Sequence, residues 1–189
     1  MRHRLFRDQN IGAWSTLHPE TMSKFHVLLR QRRYQEFREE LARTELAEEI
    51  SEFYVLNFHG LLAIVEGSEF ASDYLEMAEA MASSPYETAI LAESLAAHDL
   101  LRGNPLAAAE RCLAILDHIC QTEDLRINLL IALYRLGDMW TIDATLQNLA
   151  QLDDEYAARL VRALSSEPDL CEMCSRPAFR QLMTRRCSE

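Results

Sequence analysis

The sequence predicts an all-α fold, and three observations carry that prediction. Glycine and proline number five each in 189 residues, too few turn-formers for a many-stranded β fold. Apolar residues recur at the i, i+3, i+4 and i+7 spacing of amphipathic helices along most of the chain. Gly67, Gly103 and Gly137 each fall between two such stretches, 36 and then 34 residues apart. A glycine recurring at that interval marks a repeated helix-turn-helix unit.

Taken in order, residues 1–17 form an N-terminal arm carrying Phe6, Ile11 and Trp14 among arginines. The arm is either frayed or laid across an acidic groove in the manner of a bound partner. Thr21 to Leu29 reads as a first helix, with Pro19 suited to its opening. Arg30 to Arg33 is its turn, and Tyr34 to Leu46 the second helix, with Tyr34, Phe37 and Leu41 on one face. The turn centre near Arg32 lies 35 residues before Gly67, so a first repeat is expected without a glycine. Glu39, Glu40, Glu45, Glu48 and Glu49 alternate with apolar positions and read as a solvated face.

Glu52 to Val65 is the next first helix. Phe53, Leu56, Gly60 and Ala63 form a stripe suited to internal packing, and Tyr54, Asn57, Leu61 and Ile64 form a second stripe. Its partner helix fits best with Ala71, Leu75 and Ala78 turned inward, one residue back from the register that would use Ser72. Pro85 and Pro105 stand where the helices of the third pair begin. Ala96, seven before Gly103, and Ala108, five after it, are small seats where paired helices approach. Leu130 and Ile142 take these places around Gly137, and Cys112 with Ile115 and Leu146 with Leu149 continue the second helices. One more helix is expected after Gln151–Asp154, to about Leu164, followed by a closing segment over 166–189.

Lys and Arg total 19 against 30 Asp and Glu, a net charge of −11. Phosphate backbones are held by cations, so this balance disfavours nucleic acid. The longest strongly apolar stretch, Phe53 to Val65, is interrupted by Asn57 and His59 and falls short of the roughly 20 residues of a membrane span. The charged N-terminus reads as no secretion signal, and five cysteines, an odd number in a chain of this size, suit a reducing compartment. A cytoplasmic location is expected. Lys24 is the sole lysine.

The repeat period, together with Leu95-Ala96, Gly103, Ala108 and the run Leu133-Tyr134-Arg135-Leu136-Gly137-Asp138, resembles the tetratricopeptide-repeat family. The resemblance covers about residues 18–165 and implies a right-handed α-solenoid of about four degenerate repeats. The segment from Glu167-Pro168 to Leu182 is similar to the closing segment of such arrays. Ala63 and Asp99 stand where the family has an aromatic residue, and Ile142 where it has a small one.

Arrays of this kind bind peptides on a concave face lined by their first helices. That register assigns Tyr54, Asn57, Leu61 and Ile64, then Glu93, Ala97 and Leu101, then Ile127, Ile131 and Tyr134 to the face. A helix apolar on nearly all sides is either wholly buried or carries an apolar binding stripe. Family members that grip a terminal carboxylate use lysine, arginine and asparagine here, whereas this chain has Asn57, Glu93, Ala97 and Ile131. An apolar groove with an acidic rim suits instead an amphipathic or extended apolar segment with basic flanks. The stretch from Gly103 to Leu164 is also similar to the small repeat-fold chaperones of bacterial type III secretion systems, which implies a hydrophobic secreted client. The competing role is a scaffold that uses its repeats for self-association or docking.

No catalytic constellation emerges. Cys171 and Cys174 have the spacing of half a zinc site without a second pair of ligands, Cys187 alone being near in sequence. They read alternatively as small buried residues. His98-Asp99 and His118 lie in different helices, and no phosphate loop or nucleophile elbow occurs. The expected protein is a non-enzymatic, cofactor-free binding module.

Overall fold

A computed structural model of the chain describes residues 24–25, 27–29, 31–47, 50–116, 123–149, 176–177 and 179–180. Among these residues the structure is helical and contains no strand. Helical turns at 24–25 and 27–29 precede α1 (Tyr34–Leu46), α2 (Glu52–Val65), α3 (Ala71–Met81), α4 (Pro85–Leu101), α5 (Pro105–Leu116), α6 (Glu123–Leu136) and α7 (Met139–Leu149). No helix among the described residues is long and apolar enough to cross a membrane. The chain divides into two compact units, Met1–Ala82 and Ser83–Glu189. The N-terminal arm, the helix expected after Gln151, Cys171, Cys174, Cys187 and most of the closing segment lie outside the described residues.

One turn recurs four times. Arg32, Gly67, Gly103 and Gly137 have φ of 56°, 67°, 73° and 74°, the left-handed conformation that ends a helix by the Schellman pattern. The N–H groups of Arg33, Ser68, Asn104 and Asp138 donate to the carbonyls of Leu28, Ala63, Asp99 and Leu133 at 2.9, 2.8, 2.8 and 3.0 Å. Those of the left-handed residues themselves donate to Leu29, Ile64, Leu100 and Tyr134 at 3.0–3.1 Å. The turn expected near Arg32 is therefore the glycine turn made by an arginine, whose Cβ costs roughly 1–2 kcal/mol in this conformation.

In the first unit, Phe25, Phe37 and Phe58 meet around one point, with ring centroids 4.5, 5.0 and 5.5 Å apart. Leu41 is buried beside Phe37 on the inward face of α1. Lys24, the sole lysine, bridges to Glu40 at 2.7 Å, so the segment before the turn is tied to the helix after it. The packing stripe Phe53, Leu56, Gly60 and Ala63 of α2 is buried as expected. A Cβ at Gly60 would stand 2.7 Å from Cδ2 and 2.9 Å from Cγ of Leu75. The small seat thus exists because α3 packs directly on it. Ala71, Leu75 and Ala78 are buried while Ser72 is half-buried, which selects the shifted register.

In the second unit the core is aliphatic, built from Ala96, Leu100, Ala108, Cys112, Leu125, Leu129, Leu130, Ile142 and Leu146, with Phe179 packed into it. Its entry helix α4 starts with a full capping box. The Ser84 hydroxyl accepts from the Glu87 N–H at 3.2 Å, and the Glu87 carboxylate accepts from the Ser84 N–H at 3.0 Å, with Pro85 at the first helical turn. The side chains of Asn128 and Arg135 on α6 donate to the carbonyls of Glu93 and Leu100 on α4 at 3.1 and 2.7 Å. Both bonds join residues 35 apart, so α4 and α6 lie side by side in parallel. Asp99 of α4 holds Arg111 of α5 at 2.7 Å.

Candidate functional site

The stripe chosen from the sequence begins with α2, a helix without a Lys or Arg and with an acid only at Glu52. Within the first unit, Tyr54, Asn57 and Ile64 are buried and Leu61 is half-buried. Tyr54 is held edge-on by Phe53, ring centroids 4.9 Å apart, and lies 6.3 Å from Phe58. The aromatic cluster that stabilises this unit thus continues directly into the stripe.

Asn57 is the polar member of the stripe in α2. Its side chain is fully buried, and neither its amide nitrogen nor its carbonyl oxygen has a hydrogen-bond partner among the described residues. Leaving a buried amide unpaired costs about 1–3 kcal/mol. Thr44, equally buried, shows the ordinary solution: its hydroxyl donates to the carbonyls of Glu40 and Leu41, each at 3.0 Å. Asn57, one residue from Phe58 and three from Tyr54, can present both a donor and an acceptor, the pair that a peptide main chain requires.

In the second unit the stripe divides differently. Ile127 and Ile131 are buried, Ala97 and Tyr134 are half-buried, and Leu101 is 64% exposed. Glu93, at the place in its helix that Asn57 holds in α2, is buried. Its carboxylate adds to the effect of burial in pushing the Cys112 thiol up to about 12. Cys112 is free and buried, and a thiol held that high is not nucleophilic at neutral pH.

The remaining electrostatics serve helix ends and packing. Burial, and then the Arg102 charge, lower the pKa of His98. Burial pulls the Glu87 carboxyl upward, but hydrogen bonds from Ser83 and Ser84 outweigh it and leave the pKa lowered. Thr141 donates its hydroxyl and its N–H to Asp138 at 2.6 and 3.1 Å, lowering that carboxyl and capping α7. Arg176 forks onto Asp143 at 2.8 and 2.5 Å. Among the described residues no group of three or more His, Cys, Asp or Glu is placed to hold a metal ion.

Sequence reasoning passed over two exposed apolar features. Phe70, Leu106 and Trp140 each stand three residues after a left-handed glycine, and each is exposed, Trp140 to 81%. Phe70 continues along α3 into Tyr74, Met77 and Met81. Their i, i+4, i+7, i+11 spacing was readable, but the adjacent Ala71, Leu75, Ala78 stripe satisfied the packing of α3 and drew the whole periodic signal. Compared with protein-family models, curated proteins and solved structures, the chain matches none.

Proposed function

We propose that the protein is a non-enzymatic protein-binding module, a cytoplasmic chaperone or adaptor whose helix pairs are degenerate tetratricopeptide-like repeats. The observation that carries this reading is Asn57. A core helix gains nothing from a fully buried amide with no partner, whereas a binding stripe gains a main-chain anchor among apolar contacts. In the first unit, a client's extended apolar segment is held on Tyr54, Leu61 and Ile64, with Asn57 pairing to its backbone. Tyr54, Asn57 and Ile64 are buried, so a client reaches them only through local opening, and Leu61 is the contact available first. In the second unit the accessible seats are Ala97, Leu101 and Tyr134, and Ile127 and Ile131 lie beneath the surface. Each apolar side chain covered by a client contributes about 1.5–3 kcal/mol at most, before ordering costs. The similarity of Gly103 to Leu164 to type III secretion chaperones makes a hydrophobic secreted subunit of a bacterium the first client to examine.

The test is affinity capture from the native cell with wild type and with a Leu61→Ser, Leu101→Ser variant. Neither residue is fully buried, so the variant keeps its helical circular dichroism. A protein captured by wild type and lost from the variant supports the reading. Identical capture by both removes it.

A scaffold role is favoured by a different observation, the exposure of Leu101, Leu106, Leu136 and Trp140 in the second unit. Light scattering separates the two readings: a stable dimer that dissociates on Trp140→Ser assigns these residues to self-association.

A further inference from the structure

Helix α3 has an apolar sector about twice as wide as the part it buries. Ala71, Leu75 and Ala78 are buried, and Gly60 of α2 lies against Leu75. Phe70, at the N-cap, with Tyr74, Met77 and Met81 forms a second stripe beside them on the same helix. Phe70, Met77 and Met81 are 57%, 52% and 46% exposed, and Tyr74 is half-buried where its ring stacks on His59, centroids 5.4 Å apart. From Phe70 to Met81 the stripe runs about 16 Å, three helical turns. Its far edge is acidic: Glu69, Asp73 and Glu76 are exposed, and none forms an ion pair with a cation among the described residues. Helix α3 itself contains no Lys or Arg.

We infer that this stripe is a docking surface for a basic amphipathic helix of another protein. The length matches the apolar face of a three-turn helix, which presents anchors at i, i+3 or i+4 and i+7. The unpaired carboxylates along one edge specify Lys or Arg on the flank of that helix. Two methionines among the four contacts give an adaptable, polarisable surface that accepts differing side-chain shapes. The surface lies on a different helix from the α2 stripe, so it stands or falls independently of the client site proposed above.

The probe is a 14-residue helical peptide of leucine and lysine, leucine on one face, with a leucine and glutamate peptide of the same pattern as its control. Binding is read by fluorescence anisotropy of the labelled peptide at increasing salt. Wild type binds the lysine peptide, weakening with salt, and does not bind the glutamate peptide. Met77→Ser with Met81→Ser leaves every charge in place and weakens binding by about tenfold per methionine. Glu69→Gln, Asp73→Asn and Glu76→Gln together remove most of the salt dependence. Equal binding by the methionine double variant and wild type overturns the proposal, since the peptide is then held by charge alone. A wild-type dimer in sedimentation that the double variant dissolves also overturns it, because the occupant is then a second copy of this chain.

Discussion

The two units close the same kind of turn over different cores. In the first, three phenylalanines converge from the segment before α1, from α1 and from α2. In the second, alanine, leucine and isoleucine fill the core, and α6 is pinned to the carbonyls of α4 by Asn128 and Arg135. The difference shows that one left-handed turn serves both units, while the packing between helices is solved locally. It also shows why the polar anomaly matters. The Asn128 and Arg135 side chains of the second unit find backbone partners, whereas the Asn57 amide of the first has none among the described residues.

The largest effect is expected at the aromatic hub. Phe58→Ala removes the ring that contacts Phe25, Phe37 and Tyr54 and lowers stability by about 3–5 kcal/mol. Hydrogen exchange resolved by residue shows the loss in α1 and α2. Unchanged protection of α1 and α2 in the variant sinks the assignment of the hub to these helices. Gly60→Ala comes next, because its methyl group meets the fully buried Leu75 at 2.7 Å. It costs about 1–2 kcal/mol after the helix-propensity gain is offset, read from denaturant midpoints.

Arg32→Gly works in the opposite direction. It relieves the left-handed strain at the one non-glycine residue with positive φ among those described and stabilises the first unit by about 1 kcal/mol. Gly103→Arg, its mirror image in the second unit, destabilises by a similar amount. The smallest effect is electrostatic. Hydrogen bonds from Arg43 and then Lys24 hold the Glu40 carboxyl at about 2. A carboxyl lowered on folding contributes stability that is complete above its unfolded pKa, roughly 4.3. That contribution is lost as pH falls toward about 2. Solvent screening limits it to about 1 kcal/mol. Lys24→Gln therefore lowers the stability of the first unit on the neutral side, above roughly pH 4.3, and leaves it nearly unchanged at the acid end, flattening the slope between them.

The helices were largely legible in the sequence. Boundaries at Tyr34, Leu46, Glu52 and Val65 coincide with α1 and α2, because apolar periodicity and turn spacing agree there. Even the turn at Arg32 followed from spacing alone, although its left-handed φ could not, since an arginine gives no local sign of one. The capping box of Ser84 and Glu87 is legible in the sequence as Ser-Pro-Tyr-Glu, with Pro85 marking the same helix start. Periodicity groups the residues of the candidate stripe but does not give their burial. Tyr54, Asn57, Leu61 and Ile64 share one stripe by periodicity, but periodicity cannot say which of them lies beneath the surface. Nor could it reveal that the Asn57 amide lacks a partner, which depends on every residue packed around it.

Asn57→Leu tests the central claim most directly, because it pulls stability and binding apart. Replacing an unpaired buried amide by an apolar group of similar volume raises stability by about 1–2 kcal/mol, measured by chemical denaturation. The same variant loses the client that wild type captures from the native cell, because the main-chain anchor is gone. A variant that is less stable than wild type and still captures the same protein would contradict the account, since Asn57 would then be serving the fold.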